Sequence, residues 1–170
     1  MTECVVEQAI NLKRTQGRIN LIEIANSLGI DVYTTKEIKQ SSFIAYDAEV
    51  ENYEIYLNEN EVGTRQRFSI AHEIAHFVLH KNKIKTFGVV GRECEQSLSV
   101  TEEKEADTLA AEILMPTCIC NEYLTNHSIT MDTVIDYQIV KNFAKEFEVS
   151  ILAAIVRLRE LGYYVKYIEL

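Results

Sequence analysis

Apolar side chains recur every three or four residues from about Val5 to Leu28, and Gly17 interrupts this pattern. Gly29 follows Leu28 at the position where glycine commonly ends a helix. The next segment, IDVYTT, is rich in the β-branched and aromatic residues that strands favour. The pattern therefore predicts two helices followed by a short strand.

Two later segments alternate between apolar and polar residues with the period of a strand. They are SFIAYDAEV and NYEIYLNEN, and both contain β-branched and aromatic side chains. An acidic segment at about residues 49–52 lies between them and has the composition of a turn. We therefore expect an antiparallel hairpin.

Two further helices are predicted in the centre of the chain. The first extends from Thr64, which suits an N-cap, to about His80, and its apolar residues lie along one flank. Gly88 and Gly91 then predict a loop. The second helix occupies about residues 100–115, because Ser99-Val-Thr-Glu102 has the form of a capping box and Pro116 stops the pattern.

Hydrophobic periodicity predicts that the C-terminal part of the chain is also mainly helical. Residues 131–161 are amphipathic with a break at 148–150, and YYVKYIEL predicts a closing strand. Residues 144–162 resemble a helix-turn-helix, as in DNA-binding proteins. Two packed helices are the favoured interpretation, because this segment has few basic residues.

The composition is that of an ordinary globular domain. Of 170 residues, 47% are hydrophobic and 25% are charged, and six glycines and one proline leave no linker. The net charge of −9 disfavours broad binding to nucleic acid, so a protein partner is expected instead. The composition does not indicate an oligomeric state.

The compartment is predicted from the N-terminus and the cysteines. Residues 1–18 lack the basic start and unbroken apolar run of a signal peptide, and no segment reaches membrane-spanning length. We therefore expect a cytoplasmic protein with no membrane contact. The spacing of the four cysteines favours reduced packing residues over disulfides or zinc ligands; they are Cys4, Cys94, Cys118 and Cys120.

The segment RFSIAHEIAHFVLH carries three of the four histidines at intervals of four residues. On a helix His72 and His76 lie on one face, roughly 6 Å apart, so both rings can bind one metal ion. Glu73 flanks them, where its carboxylate can take a proton from water activated by the metal. This is the HExxH arrangement of zinc proteases. The same spacing also fits two buried core histidines beside a solvated glutamate.

A catalytic zinc site needs a third protein ligand and one open position. His80 continues the series but lies roughly 12 Å from His72 along the helix, too far to share the ion, so we expect a structural role for it. The elongated metzincin motif would require glycine at 79 and histidine at 82, where this chain has Leu79 and Asn82. His127 is isolated in a polar segment, and we expect it to be exposed.

The better third ligand is Glu103 in the second central helix. It falls nearest the middle of that helix's apolar face, whereas Glu102 lies further off and Glu105 and Glu112 point to the opposite side. A carboxylate on such a face needs a partner, and zinc would supply one. Asp107 could hydrogen-bond a histidine ring. Alternatively, Glu102 and Glu103 only complement the positive end of the helix dipole.

These motifs together resemble the ImmA/IrrE family of metallo-endopeptidases. AHEIAHFVLH is followed about thirty residues later by EKEADTLAAEILMP, and the resemblance is strong over residues 65–116. It implies an α+β, zincin-like minimal metalloprotease domain with a small antiparallel sheet packed on the HExxH helix and on a second, glutamate-bearing helix. The metallopeptidase domain would cover residues 1–130, with a helical subregion of the same domain over residues 131–170.

The resemblance also implies a site and a substrate. The zinc ligands would be His72, His76 and Glu103, and Glu73 would be the general base. The substrate would be a protein, typically a helix-turn-helix repressor of a mobile element, prophage or stress regulon, as for stand-alone anti-repressor proteases of this family. We expect the hairpin segment NYEIYLNEN to hold the substrate by strand addition.

Two other functions remain compatible with the sequence. A zinc-binding or zinc-free module could sequester a repressor without cutting it, and such a module would not depend on Glu73. A regulator that binds DNA directly through residues 144–162 is the other alternative, although the net charge opposes it.

Overall fold

The chain begins with the two predicted helices, α1 (Thr2–Gln16) and α2 (Leu21–Ser27). The structure is a computed structural model that describes residues 1–90 and 98–166. Gly17 ends α1 with a φ of 72°, a left-handed conformation that glycine adopts without strain. Asn20 caps α2 by accepting a hydrogen bond from the backbone N–H of Glu23. Local sequence signals therefore determine both boundaries.

Four strands form one sheet in the order β1-β3-β2-β4. Its strands are β1 (Ile30–Thr35), β2 (Ser42–Asp47), β3 (Asn52–Asn58) and β4 (Val89–Val90). The antiparallel hairpin β2–β3 is confirmed, but β1 pairs with β3 in parallel, so the small sheet is mixed and not wholly antiparallel. Alternation of apolar and polar residues predicts which segments are strands, but it does not predict which strands pair with each other. In this order, one row of apolar residues crosses the sheet: Val32, Ile55, Ile44 and Val90.

The prediction that NYEIYLNEN holds the substrate by strand addition is wrong, because strand addition needs a free sheet edge. This segment is β3, which has β1 on one side and β2 on the other, so its backbone is already paired along both sides. The physical reason is that Tyr53, Ile55 and Leu57 are buried, and a strand with this much apolar surface is stabilised at the centre of the sheet.

Helix α3 (Gly63–Phe87) packs on β2 and β3. The ring of Phe77 meets Tyr53 edge-on with centroids 4.9 Å apart, which fixes the helix against the sheet. The helix was predicted to end near His80, and the backbone does leave helical geometry there, with φ −125° and ψ 20°. Helical structure then resumes as far as Phe87, and Gly88 ends it.

Helix α4 (Val100–Leu114) packs against α3 and begins at the predicted capping box. The Ser99 hydroxyl accepts from the Glu102 backbone N–H, while the Glu102 carboxylate accepts from the Ser99 backbone N–H. Pro116 follows the helix, as predicted. A helix that the hydrophobic pattern did not predict, α5 (Thr117–Asn126), then begins.

The C-terminal part contains α6 (Tyr137–Phe147) and α7 (Ile151–Glu160), which pack against each other. The predicted break is confirmed, because Glu148 adopts a left-handed conformation and Ser150 caps α7. Of the predicted closing strand, Val165 forms a parallel bridge with Ile135, and residues 167–170 lie outside the described residues. The proposed domain boundary at residue 130 stays a prediction.

Two further sequence predictions concern cysteines and membranes. Cys120 is buried, and its thiol donates to the Met115 carbonyl, so it packs in the core as expected. Cys4 and Cys118 are exposed and do not, while Cys94 lies outside the described residues. No helix in the described ranges is long and apolar enough to cross a membrane.

A buried arginine joins the ends of α4, α5 and α7. Arg157 is 7% exposed, and its Nη2 donates to the Met115 carbonyl over 2.8 Å and to Thr117 Oγ1 over 3.0 Å. It also forms an ion pair with Glu112. Burial opposes ionisation of Glu112, but hydrogen bonds from the Thr117 backbone and from Arg157 outweigh this effect and lower its pKa. We call these four residues the Arg157 clamp.

We predict that Arg157→Met lowers the free energy of unfolding by about 2–3 kcal/mol, because it removes the buried ion pair with Glu112 and the guanidinium hydrogen bonds to the Met115 carbonyl. Urea unfolding at pH 7 measures this change. The pKa of Glu112 is lower in the folded chain than its usual value of 4.5. The ionised carboxylate therefore stabilises the folded chain at pH values above 4.5, and this stabilisation is lost as the pH falls from there through the lowered pKa. The difference between wild type and variant should therefore shrink in acid.

The matched control is Arg159→Met, which removes an exposed arginine from the same helix. It should change the free energy of unfolding by less than about 0.5 kcal/mol. Equal stability of the Arg157 and Arg159 variants would contradict a stabilising role for the Arg157 clamp.

Candidate metal centre

The interface between α3 and α4 contains the polar residues that the sequence singled out. His72, Glu73 and His76 are 4%, 2% and 0% exposed, which is rare for side chains of this kind. On α4, Glu103 is partly buried and its carboxylate reaches toward both histidines. The i, i+4 spacing on α3 places both rings on the face that meets α4.

Three donor groups converge at this interface. His72 Nε2 lies 2.9 Å from His76 Nε2, and the two Glu103 carboxylate oxygens lie 3.3 Å from His72 Nε2 and 3.4 Å from His76 Nε2. Among the described residues, these three side chains form the group whose geometry could hold a metal ion. The structure thus brings together the three residues predicted as ligands.

The distances fit the geometry of a small divalent cation. A tetrahedral ion with bonds of about 2.0–2.1 Å to nitrogen and oxygen holds its donors about 3.3–3.4 Å apart. The two separations between carboxylate and imidazole, each to a different Glu103 oxygen, match this range, and the separation between the two imidazole nitrogens is shorter. Two imidazoles and one carboxylate are also a donor set typical of zinc peptidases. The residues present therefore fit a metal ion.

Each histidine ring has a polar neighbour close to its second nitrogen. His72 Nδ1 lies 3.0 Å from Asp107 Oδ1, the contact that sequence spacing suggested for Asp107. His76 Nδ1 lies 3.2 Å from His80 Nδ1. A polar group at this position can orient a metal-binding imidazole so that Nε2 faces the ion.

His80 lies outside the donor group but contacts it through His76. It is 8% exposed, and its Nε2 lies 3.3 Å from Glu105 Oε2. The Glu105 side chain is 55% exposed, as expected for a residue off the apolar face of α4, and its far end still reaches His80.

Glu73 lies beside the donor group and faces a cleft. Its Oε1 accepts a hydrogen bond of 2.6 Å from the hydroxyl of Ser42, a buried residue of β2. The cleft has a volume of about 100 Å³ and is lined by residues of the β1–β2 connection, of β2 and of α3, including Ser42, Arg65, Phe68, His72 and Glu73.

Sequence reasoning missed Ser42, although a signal was present. Ser42 and Ile44 are two residues apart in β2 and are both buried, so the serine lies on the apolar face of its strand. A hydroxyl in such a position requires a hydrogen-bond partner, and Glu73 is that partner.

Glu102 has a separate role from its neighbour Glu103. A hydrogen bond from Lys83, together with the hydrogen bonds that it accepts from Ser99, lowers the pKa of Glu102 to about 2. Its carboxylate is therefore engaged at the N-terminus of α4.

The similarity to known proteins covers the region that contains these motifs. Residues 25–159 match the family model described as the IrrE N-terminal-like domain, a peptidase family. The chain belongs to the ImmA/IrrE family. Membership indicates a metal-dependent peptidase, and the α+β fold predicted for this family is confirmed by the elements described above.

The chain is also similar to a curated relative and, in fold, to a solved structure. The chain is 28% identical over 138 residues to "Metallopeptidase ImmA" of Bacillus subtilis (strain 168), covering 81% of this chain and 79% of the relative. It also resembles the structure of a "Mycobacterium tuberculosis transcriptional regulator", with a TM-score of 0.52 and 14% identity. That match covers 89% of this chain but only 46% of the regulator, and it shows similarity of fold alone.

We predict that Asp107→Ala weakens Zn²⁺ binding by about 10- to 100-fold, because His72 loses the carboxylate that orients its ring. Competition with a chromophoric chelator measures the affinity. The control is Asp132→Ala, which removes an exposed aspartate outside the interface and should leave the affinity unchanged. Equal affinities of the two variants would show that Asp107 does not orient the ring.

Proposed function

We propose that this protein is a zinc endopeptidase that cleaves another protein, a helix-turn-helix transcriptional repressor. One observation carries the proposal: the donor atoms of His72, His76 and Glu103 converge at 2.9–3.4 Å, and Glu73 borders the cleft beside them. Metallopeptidases need this combination of a three-ligand metal site and an adjacent carboxylate.

In this proposal His72, His76 and Glu103 hold Zn²⁺. When bound, zinc would act as a Lewis acid that polarises the scissile carbonyl and lowers the pKa of water. The three side chains come from two helices packed on each other, so the donors are held in place by the core of the domain. Asp107 and His80 would orient the two rings.

Glu73 would act as the general base and then as the general acid. It accepts the proton of the attacking water and passes it to the nitrogen of the leaving amine. The hydrogen bond from Ser42 Oγ to Glu73 Oε1 holds the carboxylate toward the cleft. Because Glu73 is 2% exposed, little competing water reaches it from elsewhere.

The substrate would bind along β2 and not along β3, because β3 is an interior strand. Ser42 of β2 borders the cleft, and among the described residues β4 pairs with β2 only at Ile44 and Ala45. An extended peptide beside Ser42 would lie next to Glu73. Arg65 lines the same cleft and is our candidate donor to the oxyanion, whereas no tyrosine of the described residues lines it.

The class of substrate follows from charge and from the family resemblance. A net charge of −9 favours a protein over nucleic acid as the partner. The ImmA/IrrE resemblance suggests a repressor as that protein. Direct DNA binding by α7 is disfavoured, because the first six residues of this helix, ILAAIV, offer no basic group to a phosphate or a base edge.

We predict that Glu73→Gln retains Zn²⁺ but lowers the rate of repressor cleavage by about 10²- to 10⁴-fold, because glutamine cannot accept the proton. The two measurements are the zinc content of the purified protein and the appearance of cleaved repressor. The repressor should come from a helix-turn-helix gene beside the gene for this protein.

The control is Glu7→Gln, which alters an exposed glutamate on α1 and should leave both zinc content and rate unchanged. Relief of repression by the Glu73 variant without any cleaved product would instead support a protein that sequesters its partner. That outcome would overturn the peptidase proposal.

We also predict that a chelator abolishes cleavage and that Zn²⁺ restores it, because the two imidazoles and the carboxylate suit zinc. Metal content after purification and activity after addition of single metals both test this. Full restoration by Mg²⁺ but not by Zn²⁺ would contradict the zinc assignment, since Mg²⁺ prefers oxygen ligands.

A further inference from the structure

A groove beside the proposed catalytic cleft has no role in the function described so far. It lies between the start of α3, the second half of α4 and α7, and its volume is about 720 Å³. Its lining is mainly apolar and includes Val62, Phe68, Ala111, Leu114, Leu152 and Val156. We call it the apolar groove.

The apolar groove leaves large apolar side chains open to solvent. Val62 is 70% exposed, Leu152 is 59% exposed and Val156 is 47% exposed. Single exposed residues of this kind are ordinary, but a concave surface that gathers several of them is typical of a binding site. The volume lies within the range of pockets that enclose most of a small ligand, so the groove has room for more than one side chain.

The groove and the proposed catalytic cleft share a wall. Phe68 and Arg65 line both of them. The Phe68 ring stacks on the imidazole of His72 with centroids 5.9 Å apart. Asp107, which contacts His72, lines the groove from the side of α4. The cleft and the apolar groove therefore adjoin each other at Arg65 and Phe68.

The walls of the groove are held in a fixed position. Arg157 joins α7 to the end of α4 through the Met115 carbonyl, and both residues line the groove. The Ser150 cap fixes the start of α7 on the same side. A preformed apolar site binds ligands without a large cost of ordering.

We propose that the apolar groove binds apolar side chains of the substrate next to the scissile bond, and so selects cleavage sites flanked by residues such as leucine, isoleucine, methionine or phenylalanine. The inference rests on the proposed peptidase function and adds a rule of substrate choice to it. Charged side chains would gain less than apolar ones in this groove, because most of its accessible lining is apolar and would strip them of water.

The test uses the full chain loaded with Zn²⁺ and a mixed library of synthetic peptides, with cleavage sites read by mass spectrometry. For the wild type we expect enrichment of apolar residues on one side of the cleaved bond. Val156→Glu and Leu152→Glu place a carboxylate in the groove. Each should lower kcat/KM for a peptide with an apolar flank by at least about tenfold and remove the enrichment. Cleavage of a peptide with glycine and serine in that flank should be unchanged.

The matched control is Val50→Glu, which alters an exposed valine in the turn between β2 and β3 and should keep the wild-type enrichment. Thermal unfolding and zinc content identify any variant that is misfolded or has lost the metal site, and two variants are used so that one such loss does not decide the test.

Three results would overturn the inference while leaving the peptidase function intact. They are cleavage without apolar enrichment, enrichment that both groove variants retain, and a wild-type dimer that the groove variants convert to a monomer. The last would identify the groove as a contact between copies of the chain. If zinc-loaded wild type cleaves no peptide or repressor at all, the proposed function itself fails.

Discussion

The packing of α3 against α4 depends on how the polar groups between the two helices are satisfied. His72, His76 and Glu103 meet where the neighbouring positions are fully buried alanines, including Ala71, Ala75, Ala106 and Ala110. Small side chains let the two backbones approach closely, which brings the donors within 3.4 Å of one another. Two imidazoles and a carboxylate in an apolar interface are unfavourable unless they bind each other or an ion. The unfavourable burial of these polar groups is therefore also the reason that they converge on one another.

Further contacts extend from this interface in two directions. Asp107 and His80 reach the outer nitrogens of the two rings, and Glu105 reaches His80 in turn. On the other side, Ser42 links β2 to Glu73, so the sheet and the helix pair position one group together. A hydrolytic site benefits from this arrangement, because groups that are already oriented need little reorganisation as charge develops.

The structural elements at the C-terminal end of α4 contribute both to the stability of the fold and to the proposed substrate specificity. The Arg157 clamp holds α7 against the end of α4, and the same two helices form walls of the apolar groove. Phe68 and Arg65 then connect the groove to the cleft. Helix α7, which is part of the segment that resembled a DNA-binding motif in sequence, forms one wall of the apolar groove in this structure.

The sequence by itself determined the features that depend on residues close together in the chain: the histidine pair on one face of α3, the capping box of α4, the glycine at the end of α1 and the hairpin β2–β3. Each follows from local periodicity or capping. Tertiary structure alone decided that β3 is interior, that Glu105 reaches His80 and that Ser42 serves Glu73. The reason is physical: strand order, the irregular turn at His80 and contacts between distant residues depend on how the whole core packs.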